Sequence, residues 1–181
     1  INLMAHKTHI AAKPGNAEAH YNLGTLYLRK SDFKNARQYL EETVKLRPDY
    51  PEAWNNLGMV AAHANQADEA IRNFQQSLQQ RPTYAIALLN LGNLHRRQGN
   101  FGEAEKLLNR ALEIAPDDPE VNYSLGMLYA KQSQVQNALQ YLGKAVSLRP
   151  DSPDALNNLG VLLVQAQRYP DAEQQFKTCI Q

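Results

Sequence analysis

Asparagine stands at residues 22, 56, 90 and 158, each directly before Leu-Gly, and Ser124 fills the remaining step of a 34-residue interval. A carboxamide carries two donor hydrogens and an acceptor oxygen. A regular row of them can therefore hydrogen-bond an extended polypeptide backbone without reading its sequence. The same groups can bond neighbouring helices and hold the pitch of a stacked array, and the two uses do not exclude each other. Other chemistry-bearing residues are sparse. His6 and His9 lie three apart, where two imidazoles share a helix face, but no third ligand stands near, so they read as a surface pair. Cys179 is the single cysteine, which leaves no internal disulfide or thiolate cage and reads as a packed thiol. Asn122-Tyr123-Ser124 matches a glycosylation sequon but falls within a predicted helix. Phosphate loops, nucleophile elbows and paired carboxylates are missing. No catalytic residue, cofactor or metal ligand is assigned, and the chain reads as non-enzymatic.

The elements that hold these residues follow from the same interval. Leu-Gly recurs at residues 23, 57, 91, 125 and 159, proline at 14, 48, 82, 116 and 150, and alanine at 36, 70, 104, 138 and 172. Each repeat reads as two antiparallel helices. The first opens on a capping residue (Asn16, Asp118, Ser152), with proline at the first helical position in three repeats (Pro51, Pro119, Pro153). A polar break follows, such as Lys30-Ser31-Asp32, and a second helix begins near the periodic alanine. That helix is expected to bury Leu40, Val44, Phe74, Leu78, Leu108, Leu112, Leu142, Val146, Phe176 and Ile180 at i, i+4 spacing. The closing proline stops it, having no donor and clashing with the preceding turn. Glycine inside the first helix costs about 1 kcal/mol against alanine, so its recurrence points to close approach of the partner helix opposite the periodic alanine.

This period, with its Leu-Gly, alanine and proline places, resembles the tetratricopeptide repeat (TPR) family over nearly the whole chain. The resemblance implies an all-α, right-handed superhelical solenoid of antiparallel helix pairs. Repeats are placed at 17–50, 51–84, 85–118, 119–152 and 153–181, with residues 1–16 as the second helix of a preceding, truncated repeat. The family's large fourth place carries His20 and Asn122 in two repeats, and its aromatic eleventh place carries Ala61, His95 and Leu163 in three. Neither end shows a polar capping helix, which suggests a piece of a longer array or a larger protein. Uncapped ends also admit self-association by end-to-end stacking.

At about 100° per residue, places 4, 7, 8 and 11 of a repeat share the packing face of the first helix, and places 2, 6, 9 and 13 the opposite one. In the resembling family that second face lines a concave groove. The groove is assigned Tyr21, Asn22, Asn55, Asn56, Met59, Asn90, Asn93, Arg97, Tyr123, Met127, Lys131 and Asn158. Its thirteenth places are mostly basic and its second places mostly acidic (Glu18, Glu52, Glu120, Asp154). Complementing the helix macrodipole explains that pattern without a partner, although Arg96-Arg97 offers an anionic ligand a contact. The asparagine row is similar to the ladder in the TPR arrays of O-linked N-acetylglucosamine transferases, which hold polypeptide substrates. The fifth places lack the lysine of a carboxylate-clamp TPR.

Composition sets the remaining limits. With 19 basic and 18 acidic residues among 181, the formal charge is +1, too small to drive non-specific nucleic-acid binding. No apolar run approaches the roughly 18 residues of a membrane span, and no signal peptide is visible, so the expected location is cytoplasmic. The chain is thus expected to be a protein-interaction scaffold that binds a peptide segment or partner helix. The alternative is the substrate-presenting region of a larger enzyme such as a protein glycosyltransferase.

Overall fold

A computed structural model describes residues 15–179. The leading helix expected over 1–16, with His6 and His9, and the burial expected of Ile180 lie outside the described residues or fall almost wholly there. Among the described residues there are ten helices and no strand: α1 (Ala17–Arg29), α2 (Phe33–Leu46), α3 (Pro51–His63), α4 (Ala67–Gln80), α5 (Ala85–Arg97), α6 (Phe101–Ile114), α7 (Pro119–Lys131), α8 (Val135–Leu148), α9 (Pro153–Gln165) and α10 (Tyr169–Cys179). The chain forms two compact units, one ending at Leu94 and one starting at His95. In the first, α1 packs on α2 and α3 on α4. In the second, α7 packs on α8 and α9 on α10.

The helix ends follow the capping residues. Asn16 Oδ1 accepts the Ala19 amide at 3.2 Å, Asp118 Oδ1 those of Glu120 and Val121 at 2.8 and 3.1 Å, and Ser152 Oγ that of Ala155 at 3.4 Å. The polar break is a repeated stop signal. In the first repeat, Ser31 adopts φ 57°, its amide donates to Leu28 O at 3.0 Å, and the Asp32 amide donates to Tyr27 O at 2.9 Å. These two bonds satisfy carbonyls the helix end would leave bare. The same left-handed step falls at Asn65, Gly99, Ser133 and Gln167, and only Gly99 takes it without steric cost.

Packing within a pair differs in two details from the pattern expected of the periodicity. A Cβ on Gly24, Gly58, Gly126 or Gly160 would lie 2.5–2.8 Å from the side chain of Leu40, Phe74, Leu142 or Phe176. The glycine therefore seats a large side chain one turn beyond the periodic alanine, not the alanine itself. Nor are Val44, Leu78, Leu112 and Val146 fully buried. The residue before each, Thr43, Ser77, Ala111 or Ala145, takes the buried place. Small side chains let the second helix press against the first, and Ser77 Oγ donates to Pro51 O at 2.7 Å. Cys179 holds the corresponding place, half-buried, its thiol 3.5 Å from Pro153 O.

The two polar fourth places also have a structural reason. His20 Nδ1 lies 2.9 Å from Asn16 O, and Asn122 Nδ2 donates to Asp118 O at 2.8 Å, so each side chain bonds the carbonyl of its own N-cap. Asn122 also donates to Pro116 O at 3.1 Å, as Trp54 Nε1 donates to Pro48 O at 2.7 Å. Trp54 and Asn122 thereby staple their repeats to the proline carbonyl that closes the previous one. Asn122 is wholly buried, which removes it as a glycosylation acceptor in the folded chain.

Tyr129 reports on this packing. Its ring stacks on Tyr141 at 5.5 Å and its hydroxyl donates to Glu105 Oε1 at 2.9 Å. Burial first, then the Glu105 carboxylate, pushes its pKa up to about 12. Tyr84 is pushed to about 12 as well, mainly by burial. Unfolded tyrosine ionises near 10, so between about pH 10 and 12 the unfolded chain loses protons that the folded chain keeps. Stability from these groups is complete below pH 10 and is lost as pH rises to about 12. Melting temperature should fall across that interval, and Tyr129→Phe should make the fall shallower. An unchanged slope would place Tyr129 ionisation in the ordinary range.

Candidate functional site

In the second unit, the sixth, ninth and thirteenth places face one open concavity of about 260 Å³. Its walls are Met127, Ala130 and Lys131 from α7 and Asn158, Val161, Leu162 and Gln165 from α9, with Leu142 at its floor. Three residues assigned to the groove, Met127, Lys131 and Asn158, are thus brought together. Val161 is 44% exposed there and Lys131 is exposed at the last position of α7. A hollow of this size is smaller than the roughly 300–1,000 Å³ of a small-molecule pocket and suits a single large side chain.

The asparagine row is engaged between repeats. Asn56 Nδ2 donates to Thr25 Oγ1 at 3.2 Å, Asn90 Nδ2 to Asn55 Oδ1 at 3.0 Å, and Asn158 Nδ2 to the Tyr123 hydroxyl at 2.9 Å and to Asp154 O at 2.8 Å. A sixth-place amide therefore reaches back to the fifth or ninth place of the preceding repeat. Asn55 and Asn56 are only 2% and 9% exposed, so they support the groove face and do not line it. Asn55 Nδ2 also donates to Asn56 Oδ1 at 3.3 Å and lies 3.8 Å from Met59 Sδ. Asn22 and Arg97 are exposed, and Tyr21, Met59, Asn90, Asn93, Tyr123 and Asn158 are half-buried.

The aromatic residues assigned to the groove, Tyr21 and Tyr123, have different surroundings. In the first unit the Tyr21 and Tyr50 rings are 4.7 Å apart, with the Arg47 guanidinium 3.7 Å above Tyr50. Burial raises the Tyr50 pKa, with Arg47 opposing. In the second unit burial and then Asp154 raise that of Tyr123, while Arg96 and the Asn158 hydrogen bond oppose. Arg96 is itself half-buried, and burial lowers its pKa.

The second-place acids sit in first turns and the thirteenth-place bases in last turns, as the macrodipole favours. They have a further partner that the periodicity did not reveal. Arg81 Nη2 pairs with Glu52 at 2.7 Å, and Arg149 pairs with Glu120. Both arginines directly precede a closing proline. The third repeat lacks both partners, having Ile86 and Ala115 at these places. Among the described residues no group of three or more His, Cys, Asp or Glu side chains could hold a metal. No helix among them is long and apolar enough to cross a membrane.

Paired helices at a 34-residue interval, closed by proline and seated on glycine, define a helical repeat protein. Tetratricopeptide repeat family models match residues 17–50, 49–117, 91–157 and 154–181. The chain belongs to the tetratricopeptide repeat family, whose repeats serve as protein-interaction modules. No curated protein matches it. Among solved structures it is similar to MamA residues 41-end from Desulfovibrio magneticus RS-1, with 24% identity and a TM-score of 0.75 over 91% of this chain and 93% of that one. PilF of Pseudomonas aeruginosa gives 22% identity and a TM-score of 0.85 over 91% and 75% of the two chains. YrrB, described as a TPR protein with an unusual peptide-binding site, gives 20% identity and a TM-score of 0.71 over 99% and 92%. At these identities the likeness is one of fold.

Proposed function

We propose that the chain is a non-enzymatic scaffold that holds a segment of a partner polypeptide against the first-helix face of its repeats. The concavity between α7 and α9 carries this reading, because it gathers apolar, amide and cationic groups on one open wall. The peptide-binding site ascribed to YrrB supports it by likeness of fold. The transferase-array alternative rests on the asparagine row alone, and Asn56, Asn90 and Asn158 of that row also donate amide hydrogens to neighbouring repeats.

The test is selection of peptides on the immobilised protein from a displayed random library, followed by titration of a recovered peptide. Val161→Glu, on the concavity wall, should weaken binding about tenfold, as loss of an anchoring contact does. Gln140→Glu, at an exposed position of α8, should leave it unchanged. Recovery of no peptide, or equal affinity of both variants and the parent, would remove the groove reading.

A further inference from the structure

The concavity also discriminates between peptides, an inference that rests on the groove reading above. Its walls are mainly apolar, and of the eight residues lining it Lys131 alone is charged. Lys45, Lys106, Lys144 and Lys177 each have a carboxylate within 4.0 Å, whereas Lys131, like Lys30 and Lys34, has no ion pair among the described residues, and of these three it alone lines the concavity. Standing at the end of α7, its ammonium complements the helix terminus yet keeps donors for a ligand. Arg97 occupies the same place one repeat earlier and is also exposed.

We infer that this concavity takes an internal acidic–apolar segment of a partner chain: a large apolar side chain lies against Met127 and Val161, and a neighbouring glutamate or aspartate meets Lys131. A basic segment would bring like charges together on a wall that holds no carboxylate. A wholly apolar one would cover the ammonium without offering it an acceptor. The carboxylate belongs to a side chain and not to a chain terminus. The lining comes from the middle and later turns of α7 and α9 and from Leu142 of α8, where backbone amides are spent within the helices and no nest of N–H groups faces the hollow. Terminal carboxylates are captured by such nests.

Pools of short peptides, acetylated and amidated at their ends, provide the test. Each pool fixes leucine and places glutamate, glutamine or lysine two residues later, with uncharged residues elsewhere. Fluorescence anisotropy should show the glutamate pool binding about two- to fivefold tighter than the glutamine pool, the range of an exposed ion pair. The lysine pool should bind weakest. The glutamate advantage should shrink at high salt, and Lys131→Glu should reverse the order of the glutamate and lysine pools. Equal affinity of the three pools, or an order that Lys131→Glu leaves unaltered, overturns the inference while the groove reading stands. Binding of none of them overturns both.

Discussion

Gly58→Leu should destabilise the α3–α4 pair by about 3 kcal/mol or more, lowering its urea midpoint sharply. Even a Cβ at Gly58 would sit 2.6 Å from two ring atoms of Phe74, which is 2% exposed. Adding methylenes to a filled core costs about 1–3 kcal/mol in ordinary cases, and leucine adds four carbons. Better helix propensity returns only about 1 kcal/mol. The cause can be isolated by a compensating change. Phe74→Ala alone should lose about 3–5 kcal/mol to the cavity it leaves. The double variant Gly58→Leu/Phe74→Ala should be more stable than the sum of the two losses predicts, because the new side chain enters that cavity. Gly143→Ala serves as the opposite control. Nothing lies within 4 Å of a Cβ there, so this substitution in the middle of α8 should add up to about 1 kcal/mol of stability and raise the midpoint with it. If Gly58→Leu unfolded like the parent, the seating of Phe74 would not be what requires glycine.

Glycine shows where the sequence stops being legible. The 34-residue interval was enough to place the hairpins, their caps and their proline stops, because each depends on local backbone chemistry. It marked Gly58 as a point of close approach, but Ala70 and Phe74 lie on the same helix face. Only the separation of the two helix axes decides which of them reaches the glycine. The same limit explains Thr43 and Ser77. Hydrophobic periodicity selects Val44 and Leu78, yet the tightest contact goes to the small neighbour. Arg81 and Glu52 are 29 residues apart, and their pairing becomes visible only once the end of one helix is set beside the start of the other. At the site, angular spacing was sufficient to bring Met127, Lys131 and Asn158 to one wall. It failed for Asn55 and Asn56, because a helical wheel treats each first helix as isolated. In the first unit adjacent first helices close over those two amides.

That closure makes the asparagine row testable as structure apart from ligand. Asn55→Ala should cost about 2 kcal/mol. Asn55 accepts from Asn90 at 3.0 Å and donates to Asn56 at 3.3 Å, so alanine strands two partners at once. Asn90 is half-buried and can turn towards water. Asn56 is 9% exposed, so its Oδ1 loses a donor where water does not readily replace it. A buried polar group left unsatisfied costs about 1–3 kcal/mol. Stacked repeats draw stability from nearest-neighbour interfaces, so the loss should be local. Amide exchange should accelerate in α3 and in the part of α5 within the first unit, and less in α9. Asn22→Ala removes an exposed sixth-place amide and should stay within about 0.5 kcal/mol of the parent. A row whose chief purpose was ligand contact would give the reverse pattern: both variants would melt like the parent and both would weaken peptide binding. An Asn55→Ala chain with parental exchange rates would therefore return the asparagines to the ligand. Faster exchange in α3 and in the first-unit part of α5 would instead identify them as the hydrogen bonds that hold one repeat to the next.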